Sequence, residues 1–283
     1  MDEELREQTA LFPFAVITPL VSQKHLGRGE REVLAFHRRF EYALEPPAAI
    51  VVTGDVGSGK STSLRAATAP LHPAQYVVLS AVATTGGMLE LLRQICLELG
   101  APPPSNSSAK LMRTIRELLC SIADKRQVTL LLIDEAHLMR LEVFAQLHTL
   151  AQMPFDQKSL MPLVLSGQNS LVDKLLFHTS KPFASRVVGR THLEPLKLAD
   201  MKAYLLHHIQ IAGGQQELLA EEAITAIHQS SGGLLRRAGH LARDATIAAA
   251  TEKAPPNHRR PRAGGLHRDP LKPVKGISYG PCY

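Results

Sequence analysis

The sequence predicts an α/β fold, a three-layer sandwich built on a parallel sheet, followed by a small all-helical domain. Three observations predict it. Apolar strands alternate with amphipathic helices from about residue 48 to residue 166, a pattern that requires crossovers between parallel strands. The first of those strands runs directly into a glycine-rich loop and then a helix. From about Leu198 the pattern becomes helical only. The 283 residues are enough for a sizeable core with a helical companion, and a hydrophobic fraction of 45% is ordinary for a globular chain. The expected organisation is an N-terminal extension over 1–28, a sheet domain over 29–197, a helical lid over 198–252 and a basic tail over 253–283.

Residues 1–28 hold Phe12-Pro13-Phe14 and Thr18-Pro19 and read as an extension before the first helix. Val33, Leu34, Phe36, Phe40 and Leu44 recur at helical spacing and predict a helix over 29–44, stopped by Pro46-Pro47. Ala48 to Thr53 is an apolar run short enough for a buried strand, and Ser61 to Ala69 a helix leaving the loop. A second strand is expected over Gln75 to Ser80, and helices over 87–99 and 108–124, separated by a Pro-, Ser- and Asn-rich connection from Ala101 to Ser108. Val128 to Ile133 predicts a third strand, Leu141 to Met153 a helix and Leu160 to Ser166 a fourth strand. Helices at 198–212, 218–230 and 233–251 make up the lid.

The formal net charge of +6 is concentrated at one end. Lys253, Arg259, Arg260, Arg262, Arg268, Lys272 and Lys275 face a single acid, Asp269, so the chain up to residue 252 is formally neutral. The folded part therefore has no basic excess, and with no Trp and 5% aromatic residues it offers little for base stacking. Any nucleic-acid contact is expected to be with the backbone. Cys96, Cys120 and Cys282 lack metal-ligand spacing, and the first two are expected as buried free thiols. No apolar run is long enough for a bilayer and the acidic start is unlike a signal peptide, so no membrane contact and a cytoplasmic location are expected.

Gly54-Asp55-Val56-Gly57-Ser58-Gly59-Lys60-Ser61 is a complete Walker A phosphate loop between a strand and a helix. Its glycines let backbone N–H groups curl round phosphates at a helix N-terminus. Lys60 would reach the β- and γ-phosphates of ATP, Ser61 would ligate Mg²⁺ and Thr62 would touch the α-phosphate. Leu130-Leu131-Leu132-Ile133-Asp134-Glu135 is an apolar strand ending in two acids. Asp134 would hold Mg²⁺ through water and Glu135 would act as general base toward the attacking water, which predicts an ATP hydrolase. Asp134-Glu135-Ala136-His137 also spells one class of helicase box, but no second lobe of strands follows, and His137 is read as structural or sensor-coupled. Gln168 in Ser166-Gly167-Gln168-Asn169 is the candidate γ-phosphate sensor, against a plain polar turn opening a helix. Arg186 and Arg190 are both candidates to act in trans on a neighbouring subunit's ATP, against surface salt-bridge roles. Arg236, in Gly232-Gly233-Leu234-Leu235-Arg236-Arg237, is preferred over Arg237 for a cis contact with the nucleotide.

On these residues, together with LLRQICLELG at 91–100, IDEAHLM at 133–139, SGQNSL at 166–171, SRVVGRTHLEPL at 185–196 and SSGGLLRRAGHL at 230–241, the chain resembles the AAA+ ATPases. Within them it resembles the branch of secretion-pathway A-protein-like ATPases and transposition helper ATPases of the Mu B and TniB kind. The resemblance assigns Lys60 to Walker A, Asp134 and Glu135 to Walker B, Gln168 to sensor 1, Arg186 or Arg190 to the arginine finger and Arg236 to sensor 2. Such proteins usually carry Gly-Gln-Pro and Gly-Ile-Pro-Arg at the two sensors, where this chain has Gly-Gln-Asn and Gly-Leu-Leu-Arg. The resemblance implies a homo-oligomer that binds DNA and works with a transposase or integrase. The alternative is an ATP-driven assembly factor acting on protein partners, in secretion or signalling; a simple P-loop kinase is disfavoured by Glu135 and the helical lid.

Overall fold

The computed structural model describes residues 49–103, 106–150, 161–214 and 218–251. The expected extension, the 29–44 helix, Cys282 and the 253–283 tail lie outside the described residues. So do the expected end of the helix at Met153 and start of the strand at Leu160. The chain divides into two units, one running to Leu196 and taking back Leu234–Arg236, the other made of Lys197–Gly233 and the chain from Arg237.

The first unit is a five-stranded parallel sheet in the order β2-β3-β4-β1-β5. Its strands are β1 (Ala49–Gly54), β2 (Tyr76–Val82), β3 (Val128–Asp134), β4 (Leu163–Gly167) and β5 (Val187–Leu193). Its helices are α1 (Lys60–Thr68), α2 (Met88–Glu98), α3 (Ser108–Asp124), α4 (Leu141–Leu150), α5 (Ser170–Leu176) and α6 (Lys181–Ala184). β1 is buried along its whole length because it has a strand on each side and helices over both faces. Its alternate residues feed two cores. Ile50 and Val52 meet Leu64 and Ala67 of α1 together with Leu130, Leu132, Val164 and Leu193. Ala49 and Val51 belong to a larger core with Leu92 and Ile95 of α2, Ile115 of α3, Phe144 of α4 and Phe183 of α6. A fully buried side chain of this size contributes about 1.5–3 kcal/mol, so the larger core supplies most of this unit's apolar stabilisation.

Two readings of the sequence change. No strand is expected over the stretch through Arg186 and Arg190, yet from Val187 it forms β5, pairing with β1 from Ala49↔Val187 to Gly54↔Leu193. Its outer positions Val188, Arg190 and His192 alternate with inner ones, which gives an edge strand the mixed polarity that a search for apolar runs passes over. Cys96 is buried as expected, but Cys120 is only half-buried.

The second unit is helical, with α7 (Leu198–Ile211), α8 (Glu221–Ser231) and α9 (Leu235–Thr251), whose first two residues group with the sheet unit. Met201 and Leu205 of α7 and Ile224 and Ile227 of α8 are buried, and the two helices pack on one another. α8 ends at Gly232, which takes the left-handed conformation that terminates helices at low steric cost.

Candidate functional site

Parallel strands all end on one edge, so the residues that follow β1, β3 and β4 gather there without any search through the fold. Thr53 of β1 is in register with Gly167 of β4, and Ile133 of β3 with Leu165. The glycine loop, the Asp134-Glu135 pair and the Gln168 turn therefore emerge side by side. The loop bends because Gly57 and Gly59 hold φ values of +84° and +95°, a region that side-chain-bearing residues rarely adopt. Gly59 occupies the N-cap of α1, and the first amides of that helix lack intrahelical acceptors, the condition that makes a helix start an anion site.

Lys60 is 8% exposed, and its Nζ donates to the carbonyls of Gly54 at 2.9 Å and Asp55 at 2.8 Å. Burial lowers its pKa from the ordinary lysine value; Glu135, Asp134 and Asp55 oppose that shift and Arg236 adds to it. Ser61 Oγ donates to Asp134 Oδ2 at 2.6 Å, so the hydroxyl and the carboxylate named for Mg²⁺ already touch across the edge. Glu135 follows with φ of 53°, its backbone N–H bonded to Asp134 Oδ1 at 2.9 Å. Its Oε2 lies 3.3 Å from His137 Nδ1.

The donor set fits a nucleoside triphosphate with Mg²⁺. Lys60 holds only loop carbonyls that a phosphate would replace, and Ser58 Oγ is buried within the loop without a hydrogen bond. No group of three His, Cys, Asp or Glu side chains suited to a metal occurs among the described residues. A Mg²⁺ held by Ser61, water, Asp134 and phosphate oxygens needs none.

The remaining predicted residues divide. Gln168 is half-buried at the end of β4, and the helix it precedes starts at Ser170 with Asn169 at its N-cap position, making no side-chain cap bond. Arg236 reaches the loop through its backbone, its N–H donating to Gly57 O at 3.2 Å. A Cβ on Gly57 would stand 2.9 Å from Arg236 Cβ, and one on Gly59 2.7 Å from Leu235 Cδ1, so two loop glycines also make room for Leu235-Arg236. Sequence reasoning missed Leu235; its apolar character beside a glycine pair is the signal it gave. Arg186 and Arg190 are not brought to this edge. Arg186 O accepts from Ala49 N at the start of β1, and Arg190 lies opposite Val51 in mid-strand. Val56, within the loop, is 58% exposed.

Comparison with known proteins agrees with this geometry. The family described as an AAA domain matches residues 44–175. The chain is 32% identical over 241 residues to general secretion pathway protein A of Aeromonas hydrophila, across 84% of this chain and 43% of that protein. It thus spans less than half of that relative's length. Among solved structures, it resembles Cdc6p from Pyrobaculum aerophilum with a TM-score of 0.61 at 17% identity, covering 85% of this chain and 66% of that one. It resembles the Aeropyrum pernix ORC2 protein in its ADPNP–ADP complexes with a TM-score of 0.62 at 16% identity, covering 82% and 65%. The Aeropyrum pernix ORC1 protein in complex with DNA gives 0.59 at 16% identity, covering 84% and 64%.

Proposed function

We propose that the chain is an ATPase of the AAA+ family and serves as an oligomeric, DNA-binding helper in transposition of a mobile element, of the Mu B and TniB kind. Within one subunit Lys60 binds the β- and γ-phosphates, Thr62 approaches the α-phosphate, and Ser61 with Asp134 holds Mg²⁺, which would neutralise charge on the phosphates when bound. Glu135 takes a proton from the attacking water, Gln168 orients that water and the γ-phosphate, and Arg236 contacts the nucleotide in cis. Arg186 or Arg190 completes the site of a neighbouring copy. A cytoplasmic location and a transposase or integrase partner belong to this reading.

The observation that carries the DNA reading is the placement of charge. All six net positive charges of the chain fall within residues 253–283, while the rest is formally neutral. A cationic segment of that kind suits sequence-independent contact with phosphate backbones, with affinity falling steeply as salt rises. No helix of the described residues is long and apolar enough to cross a membrane. A second reading, an assembly ATPase acting on protein partners, is favoured by the identity with general secretion pathway protein A.

The discriminating experiment is binding to duplex DNA with ATP, with ADP and without nucleotide across a salt series. The proposal expects ATP-dependent binding that weakens about tenfold or more between 50 and 200 mM salt. Absence of binding in every nucleotide state would sink it and leave the protein-partner reading.

A further inference from the structure

We propose that His137 is a positioning residue for Glu135 and that Lys174 holds the loop carrying both, so that the setting of the general base follows the setting of the Gln168 turn. This rests on the reading of Glu135 as the base.

Glu135 occupies the left-handed region at φ 53°, a conformation that is costly for a side-chain-bearing residue and persists only where its surroundings enforce it. Three contacts enforce it here. Asp134 Oδ1 accepts the Glu135 N–H. Lys174 of α5 donates through Nζ to the carbonyls of His137 at 2.5 Å and Met139 at 2.7 Å, so this ammonium is committed to backbone acceptors of the loop. Arg140 Nε donates to Thr85 O at 2.9 Å and fixes the loop's far end. Between these anchors the His137 side chain, 11% exposed, brings Nδ1 to 3.3 Å from Glu135 Oε2. Buried Nδ1 has no formed hydrogen bond at that distance, so a small movement of either group can make one.

The movement has a source. A Cβ on Gly167 would stand 3.0 Å from His137 N and 3.3 Å from both Cβ and Nδ1 of the imidazole. Gly167 therefore leaves no room for a side chain beside the ring, and its neighbour is Gln168. Lys174 stands on the helix that the same turn opens. Any displacement of the Gln168 turn reaches His137 from two sides, through Gly167 against the ring and through Lys174 on the carbonyls. A base that must act only when a γ-phosphate is in place gains from such a connection, because the sensing turn and the carboxylate then move together.

The test measures steady-state hydrolysis and, separately, affinity for a fluorescent ATP analogue on the full chain. His137→Ala is expected to lower kcat about 10- to 100-fold, the usual cost of losing a group that orients a reacting one, with analogue affinity within about twofold of the parent. His137→Asn, whose amide nitrogen can occupy the Nδ1 position, is expected to recover most of the loss; His137→Gln, with its amide one carbon further out, is not. Lys174→Met should give a smaller fall in kcat at unchanged affinity, and it keeps the test open if His137→Ala fails to fold. In a Glu135→Gln background, His137→Ala should leave the residual turnover where it is. Unchanged kcat in both His137→Ala and Lys174→Met, equal impairment by Asn and Ala, or affinity falling in step with kcat would overturn the proposal. Turnover at the parental rate in Glu135→Gln alone would instead overturn the base assignment, so the two failures are distinguishable.

Discussion

In the proposed reaction the two ends of the β1–β5 pair would hold different halves of the chemistry. At the carboxyl end, where Gly54 faces Leu193, the phosphate loop lies beside Asp134 and Glu135, and Ser61 already touches Asp134. At the amino end, where Ala49 faces Val187, Arg186 is bound to the start of β1 through its carbonyl. Five residues of strand separate these ends, about 17 Å at 3.3 Å per residue. A guanidinium at the far end cannot serve the phosphates of its own loop, whereas the groups proposed for binding and water activation lie on one edge of one chain. Nucleotide binding should therefore survive in an isolated subunit, while full turnover should depend on a second one.

Lys60 is where a single substitution should cost most. Its two present hydrogen bonds are to loop carbonyls, and the exchange of both for charged phosphate oxygens is what the buried ammonium offers a nucleotide. Lys60→Ala is expected to lower ATP affinity by at least about a hundredfold, counting charge-assisted hydrogen bonds at about 1.5–3 kcal/mol each. Titration with a fluorescent ATP analogue measures it. Binding at parental affinity would remove the carboxyl end from the role given to it.

The arginines come next. Loss of one arginine that stabilises a phosphoryl-transfer transition state lowers turnover about a thousandfold or more. The effect is expected for Arg186→Ala or for Arg190→Ala but not for both, with ATP affinity retained. Mixing the impaired variant with Glu135→Gln decides whether the arginine works across subunits. The first protein keeps its base and the second its arginine, so activity reappears only if the two come from different copies. No recovery on mixing, with oligomers formed, would place the arginine's effect within its own subunit.

How much of this was legible beforehand follows from what kind of signal each part sends. The glycine loop and Asp134-Glu135 are contiguous, and the parallel sheet needs only alternating apolar runs to be inferred, so both could be read from the chain. β5 was not, because an edge strand with Val188, Arg190 and His192 facing outward lacks an unbroken apolar run. Lys174 was equally silent. A lysine on a short helix looks like a solvated side chain until the fold brings the carbonyls of His137 and Met139 beneath it. The same holds for Leu235 and Arg236, whose approach to Gly57 and Gly59 joins residues almost 180 positions apart.

A much smaller change is expected at the seam between β1 and β5. Thr53 is 5% exposed, one residue before the loop, and its Oγ1 pairs with His192 Nδ1 at 3.1 Å, across the strands that join the two ends. Thr53→Val keeps the shape and deletes the hydroxyl. One hydrogen bond to a partly exposed ring contributes about 1 kcal/mol, which for a domain of this size is a fall in Tm of about 2–4 °C. Thermal unfolding followed by circular dichroism measures that, and ATP affinity should stay within about twofold, because the bonds of Thr53 Oγ1 run to Thr191 and His192 of β5. A large loss of affinity with little change in Tm would mean that the seam sets the geometry of the loop. The carboxyl end would then depend on β5 as closely as it depends on its own glycines, and the division between the two ends would be one of distance rather than of function.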